Sequence, residues 1–217
     1  AQNTWNNELS KIEITTNSNS KKEIFYTALY HSSLNPNTYK DINDNYLGMD
    51  LKKHSTKDNH YTIFSLWDTF RATHPLFTII NVKKTNEFIR TLLRQYQDGG
   101  RLPIWELAAN YTDCMIGYHA IPVIVDAYIK GIRDWDAELA LEAMIKSAQN
   151  DKFGLEAYKK NGFIKASDEP ESVSKNLEYA YDDWCIAIMA DSLGKDSIAE
   201  IFYKRAQHYK NLYDPKS

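Results

Sequence analysis

LEYAYDDWCIAIMADSL, residues 177–193, is apolar on nearly every side of a helical wheel, yet it carries Glu178, Asp182 and Asp183. A helix that is apolar all round belongs inside a protein, whereas an amphipathic one lies on its outside. The same contrast recurs along the chain. DCMIGYHAIPVIVDAYI, residues 113–129, is apolar on most sides, whereas AELALEAMIKSA, residues 137–148, is amphipathic. The periodicity predicts three helical hairpins, each an inner helix followed by an outer one. Residues 61–81 pair with 85–96, residues 110–130 with 136–148, and residues 172–193 with 196–213. The first inner helix breaks near Pro75, and Gly99-Gly100 stops its partner.

One more helix is predicted over residues 20–34, with Ile24, Ala28 and Leu29 on one stripe and Asn35-Pro36-Asn37 at its end. Between it and the first hairpin, residues 37–60 are polar and hold no sustained period, as a long loop or a set of short strands would. Alternating inner and outer helices describe a single all-α domain built as an αα-hairpin toroid or a solenoid. The inner helices start near residues 61, 110 and 172, which is not a constant repeat, and long connections precede them. Those features favour a toroid with a site on its loop-bearing face.

Composition narrows the function. The chain has 217 residues, enough for one substantial core. A net charge of −3 and a pI near 6.1, without any basic block, argue against a nucleic-acid surface. The longest apolar run, residues 120–125, is far short of the roughly 18 residues of a membrane span. Cys114 and Cys185 both lie in apolar sequence and read as two buried thiols. No HExxH, P-loop, GxSxG or dinucleotide fingerprint occurs. The N-terminus AQNTWNNELSK carries no signal peptide and no initiator Met, as expected of a piece of something longer.

Three times a carboxylate stands beside an indole: Trp67-Asp68, Trp105-Glu106 and Asp183-Trp184. Drawn as one helix, FSLWDTFRATHP places Phe64, Trp67, Asp68 and Arg71 on a single face. Asp68 then reads either as half of a buried Asp68–Arg71 ion pair or as an acceptor for ligand hydroxyls with Trp67 as its wall. Glu106, after Pro103, sits on the approach to an inner helix and has no local structural task, which favours a site-facing role. Asn110 and Asp113 fit a helix N-cap and a first-turn acid. His119, ahead of a Pro122 that would kink the helix, reads as a satisfied core histidine. Glu178 and Asp182, at i and i+4, could hold a cation or meet basic partners from a neighbouring helix, and the second use is favoured.

Five long stretches, correctly ordered, resemble glycoside hydrolase family 92, the calcium-dependent α-mannosidases. They are FYTALYHSSLNPNTYKD, YLGMD, YTIFSLWDTFRATHPLFTII, GGRLPIWELAANYTDCMIGYHAIPVIVDAYIKGI and ESVSKNLEYAYDDWCIAIMA. The resemblance implies a partial (α/α)6 barrel, part of a larger catalytic domain. It also implies exo-acting removal of terminal α-linked mannose from glycans with inversion, assisted by Ca²⁺, in an exported parent protein. An inverting enzyme needs an acid and a base about 6.5–9.5 Å apart. In this family the acid lies in a Glu-Gly-Asn-type stretch and the base in an Asp-x-Asp stretch, both beyond this chain, with much of the calcium shell. The chain alone is therefore expected to lack catalytic residues and turnover.

What carries over is sugar binding. Asp68 matches a carboxylate that hydrogen-bonds the terminal mannose, with Trp67, Arg71 and Glu106 as supporting residues. An incomplete toroid is also expected to leave an apolar edge through which the chain pairs with itself or binds something else. The rival readings are a non-enzymatic helical interaction module and a carbohydrate-binding module.

Overall fold

The computed structural model describes residues 1–214 and 216. Helix α1 (Gln2–Leu9), unforeseen in the sequence, is tied to the rest at two points. Trp5 packs edge-on against Tyr30 of α2 (Asn19–Ser32), and Glu8 accepts from Asn81 and Lys84. The polar segment that follows resolves into short strands: β1 (Asn37–Thr38), β2 (Asn45–Leu47), β3 (Lys53–Ser55) and β4 (Tyr61–Thr62). β1 pairs with β4, and β2 with β3, both antiparallel.

Where one helix is predicted over residues 61–81, the chain makes four elements instead. β4 leads to β5 (Phe64–Ser65), then to the single turn α3 (Leu66–Thr69) and to α4 (Thr73–Ile80). Between β4 and β5, Ile63 has φ 66°, which no helix accommodates. Phe64 therefore shares no helical face with Trp67, Asp68 and Arg71. Asn81 both ends α4 and caps α5 (Val82–Gly99), its side chain accepting from the Lys84 N–H. Gly100, with φ 81°, closes α5 in the left-handed conformation that glycine adopts without penalty.

The second inner helix is also shorter than predicted. β6 (Trp105–Leu107) and β7 (Asn110–Tyr111) extend β5 into a three-stranded sheet, and α6 (Ala120–Ile129) begins only after His119. Pro122 thus lies in the first turn, where its missing N–H costs nothing and no kink arises. The expectation of an all-α domain is corrected accordingly: the described residues are mostly helical, with seven short strands that all precede α6.

The remaining helices are α7 (Ala137–Ala148), α8 (Leu155–Asn161, also unforeseen), α9 (Ser172–Ser192) and α10 (Asp196–Arg205), followed by a 3-10 turn, His208–Leu212. Asp136 caps α7 through the Leu139 N–H. α4, α6 and α9 pack in sequence, α6 between the other two, while α5, α7 and α10 lie against them. α7 rests chiefly on α9 and α5. One continuous apolar cluster runs from Tyr61 to Phe202 through all six.

Asp182 and Asp183 leave α9 in different directions. Asp183 accepts from Tyr118 Oη at 2.6 Å and from Arg205 Nε at 3.0 Å, which fastens α10 and the start of α6 to α9. Along its open side, α9 presents Val173, Leu177, Tyr181 and Trp184, all between 42% and 59% exposed. The four residues form an exposed apolar stripe at helical spacing.

Candidate functional site

The site is built where the β5–β6–β7 sheet delivers the chain into α3. β5 and β6 run antiparallel, with Phe64 opposite Glu106 and Ser65 opposite Trp105. That register brings two of the Trp/carboxylate pairs side by side, although about forty residues separate them in sequence.

Glu106 does not face an open cleft. It is 1% exposed, and both its oxygens are occupied. Oε1 accepts from Thr62 Oγ1 at 2.9 Å and from the Ala109 N–H at 2.8 Å; Oε2 accepts from the Ile63 N–H at 3.0 Å. Burial raises its pKa, against the lowering effect of those hydrogen bonds. The site-facing expectation for Glu106 is corrected on that geometry: the residue holds the sheet that carries the site. One partner, the Ala109 N–H, is three residues away, but the other two lie 43 and 44 residues away and come into view only in the fold.

Asp68, in contrast, is exposed at the first turn of α3. Ser65 Oγ donates to its Oδ2, fixing the carboxylate over the strand end. The Asp68–Arg71 pair considered from the sequence does not form; Arg71 turns instead to Glu178, with Nη2 3.1 Å from Oε1. Trp67 Nε1 donates to the same oxygen at 3.3 Å. The Arg71 guanidinium stacks over both Trp67 and Phe70, at 5.0 and 4.6 Å from the ring centres. Asp68, Trp67 and Arg71 are therefore gathered on one surface, while Glu106 lies beneath it.

Glu178 is the residue whose contacts with Trp67 and Arg71 the sequence did not reveal. Its spacing to Asp182 marks an i/i+4 pair, but its partners come from 107 and 111 residues away. Behind it, His119 is 1% exposed and stands between two carboxylates. Nδ1 lies 2.8 Å from Asp182 Oδ1, and Nε2 lies 3.1 Å from Glu178 Oε2, the latter a charge contact off the hydrogen-bonding direction. Phe70 stacks flat on the imidazole, with ring centres 4.2 Å apart. Burial opposes a charge on His119, but Asp182 and Glu178 outweigh it and push its pKa up to about 9. Glu178 is correspondingly held low by His119 and Arg71, despite the opposing effect of burial. Glu178 and Asp182 thus meet basic partners, as favoured from the sequence.

Two neighbouring expectations fail. Asp113 caps no helix: it lies in the loop after β7 with φ 50°, paired with Arg101. Cys114 in the same loop is exposed, and only Cys185 is buried.

A surface that sets a fixed carboxylate beside an indole and a stacked guanidinium suits a ligand with polar hydroxyls and apolar C–H faces, as a sugar has. Comparison with known proteins identifies the class. The glycosyl hydrolase family 92 catalytic domain matches residues 1–217, and the chain belongs to that family. Among solved structures, a family 92 α-mannosidase from Bacteroides thetaiotaomicron is 40% identical with a TM-score of 0.94. The comparison covers 98% of this chain and 29% of that one. The same protein has been solved in complex with mannoimidazole. A family 92 inverting mannosidase from the same organism is 38% identical with a TM-score of 0.90, covering 99% of this chain and 30% of its own. A secreted glycosidase of Arthroderma benhamiae, described as uncharacterized, is 26% identical over 98% of this chain and 26% of its own length. This chain therefore spans between a quarter and a third of the relatives it matches.

Proposed function

We propose that the chain is part of an exo-acting, inverting α-mannosidase that removes terminal α-linked mannose, α-1,2-linked mannose included, from glycans. Within it, Asp68 hydrogen-bonds the terminal sugar, Trp67 and Arg71 shape the wall beside it, and Glu106 positions the strands beneath. The observation that carries this reading is the exposed, Ser65-fixed Asp68 carboxylate beside Trp67, in a chain 40% identical to an α-mannosidase solved with mannoimidazole. The stacked inner helices support an αα-toroid completed by other parts of the protein, and the secreted relative supports export. Among the described residues, no helix is long and apolar enough to cross a membrane.

We infer that the calcium implied by the family resemblance is held mostly by other parts of the protein. Among the described residues, no three His, Cys, Asp or Glu side chains are grouped to hold a metal, and the Glu178–Asp182 pair is engaged with His119 and Arg71. In this reading most of the calcium shell, and the acid and the base, belong to other parts of the protein.

The test is hydrolysis of α-1,2-mannobiose by the 217-residue chain, with Ca²⁺ and with a chelator. No turnover in either case is expected. Calcium-dependent turnover would place a complete acid–base pair within these residues and overturn the division of labour.

A further inference from the structure

Both oxygens of Glu178 are committed, and each commitment is to a residue with a different task. Oε1 takes the Trp67 indole N–H and the Arg71 guanidinium, which line the outer surface. Oε2 faces the His119 imidazole, which Asp182 grips from the other side. Asp182 is fully buried and also accepts the Tyr118 N–H at 2.8 Å, so the chain of contacts is anchored in the backbone at the start of α6. The row Asp182–His119–Glu178–Arg71 alternates in sign and ends at the surface. Its two cations and two carboxylates cancel. Among the described residues, Asp68 has no basic partner and remains the uncompensated acid on that surface.

From this geometry we infer that Glu178 is a positioning residue for the sugar site. It sets the orientation of Trp67 and Arg71 and, by neutralising Arg71, keeps that guanidinium from pairing with Asp68. The Asp68 carboxylate is left free to accept hydroxyls. Glu178 acts through these neighbours and does not itself touch the sugar. The inference rests on the sugar-binding reading above in one respect only, the identity of the ligand. The placement of Trp67 and Arg71 is independent of it.

The experiment uses 5-fluorotryptophan-labelled protein, with the Trp67 resonance assigned by Trp67→Phe, together with calorimetric titration of mannoimidazole. Glu178→Gln keeps the shape and an acceptor for the indole but removes the charge; Glu178→Ala removes both. The Trp67 resonance is expected to move in both variants, more in Glu178→Ala. Mannoimidazole affinity is expected to fall about tenfold or more in Glu178→Ala, in line with loss of a charge-assisted hydrogen bond. In a double-mutant cycle, Glu178→Ala and Arg71→Ala should fall short of additivity, because the second change removes a group the first has already released. A Trp67 resonance unmoved in Glu178→Ala, or losses that add, would overturn the inference. If the unaltered chain binds no mannoimidazole, the sugar reading fails, and the Trp67 resonance still decides whether Glu178 positions its neighbours.

Discussion

Glu106 reaches across the β5–β6 pair to the backbone of Ile63, its Oε2 accepting the Ile63 N–H at 3.0 Å, and Ile63 is held at φ 66°. A β-branched residue in the left-handed region is strained, and it persists only where its surroundings fix it. Replacing Glu106 with Ala leaves three donors without an acceptor in a buried site. Glu106→Ala is expected to lower stability by about 3 kcal/mol, and Glu106→Gln by less, since the amide still offers one acceptor. Urea denaturation checks this; a loss under 1 kcal/mol in the Ala variant would show that the clamp does not matter.

The β6–β7 turn is built from Ala108 and Ala109, both at positive φ (48° and 64°), where glycine or asparagine is the usual choice. Glu106 Oε1 and Thr62 Oγ1 accept the two alanine N–H groups, at 2.8 and 2.7 Å, and hold the turn regardless. Ala109→Gly should therefore stabilise the chain by about 0.5–1 kcal/mol, because glycine carries no left-handed penalty. A lower melting temperature in that variant would contradict this account of the turn.

His119 supplies the pH dependence. Its folded pKa of about 9 exceeds the ordinary value of 6.5, so protonation favours the folded state. The contribution is fully present below pH 6.5 and is lost as pH rises to 9, amounting to roughly 3 kcal/mol across that window. Asp183, raised to about 7 by burial, acts mainly below the upper half of the window. The urea midpoint of the unaltered chain should fall between pH 7 and 9 more steeply than that of His119→Gln. Parallel curves would refute the charged His119 between Asp182 and Glu178.

Along α9, the exposed Val173, Leu177, Tyr181 and Trp184 should make the isolated chain associate with itself. Light scattering is expected to show a concentration-dependent rise in mass that Leu177→Lys with Trp184→Lys abolishes. A monomer at high concentration before any substitution would sink this prediction.

The inner and outer helices were legible because burial on all sides leaves an unbroken apolar composition, as in α6 and α9, while α7 keeps one polar stripe. What the sequence concealed was non-local. Phe64-Ser65 reads as helix because it runs directly into Leu66 and Trp67; only its pairing with Trp105-Glu106, forty residues on, makes it a strand. The same error drew the second inner helix from residue 110 and turned Pro122 into an interior kink. Asp68 and Trp67 stand out in the sequence as a pair because they are adjacent, and the fold keeps them on one surface. The contacts of Glu178 were not legible because its partners, Trp67 and Arg71, lie more than a hundred residues earlier in the chain. Glu106 reads as free for a related reason: its turn contact to Ala109 depends on the strand pairing, and its other partners, Thr62 and Ile63, lie across the sheet.

The central claim is that Asp68 takes hydroxyls of a terminal mannose. Calorimetric titration of mannoimidazole into the unaltered chain and into Asp68→Ala tests it most directly. Asp68 is exposed, so the substitution should change stability by no more than about 0.5 kcal/mol. Binding in the unaltered chain and none in Asp68→Ala, with the melting temperature unchanged, is the predicted result. Equal affinity in the two proteins, or no binding by the unaltered chain, would contradict it.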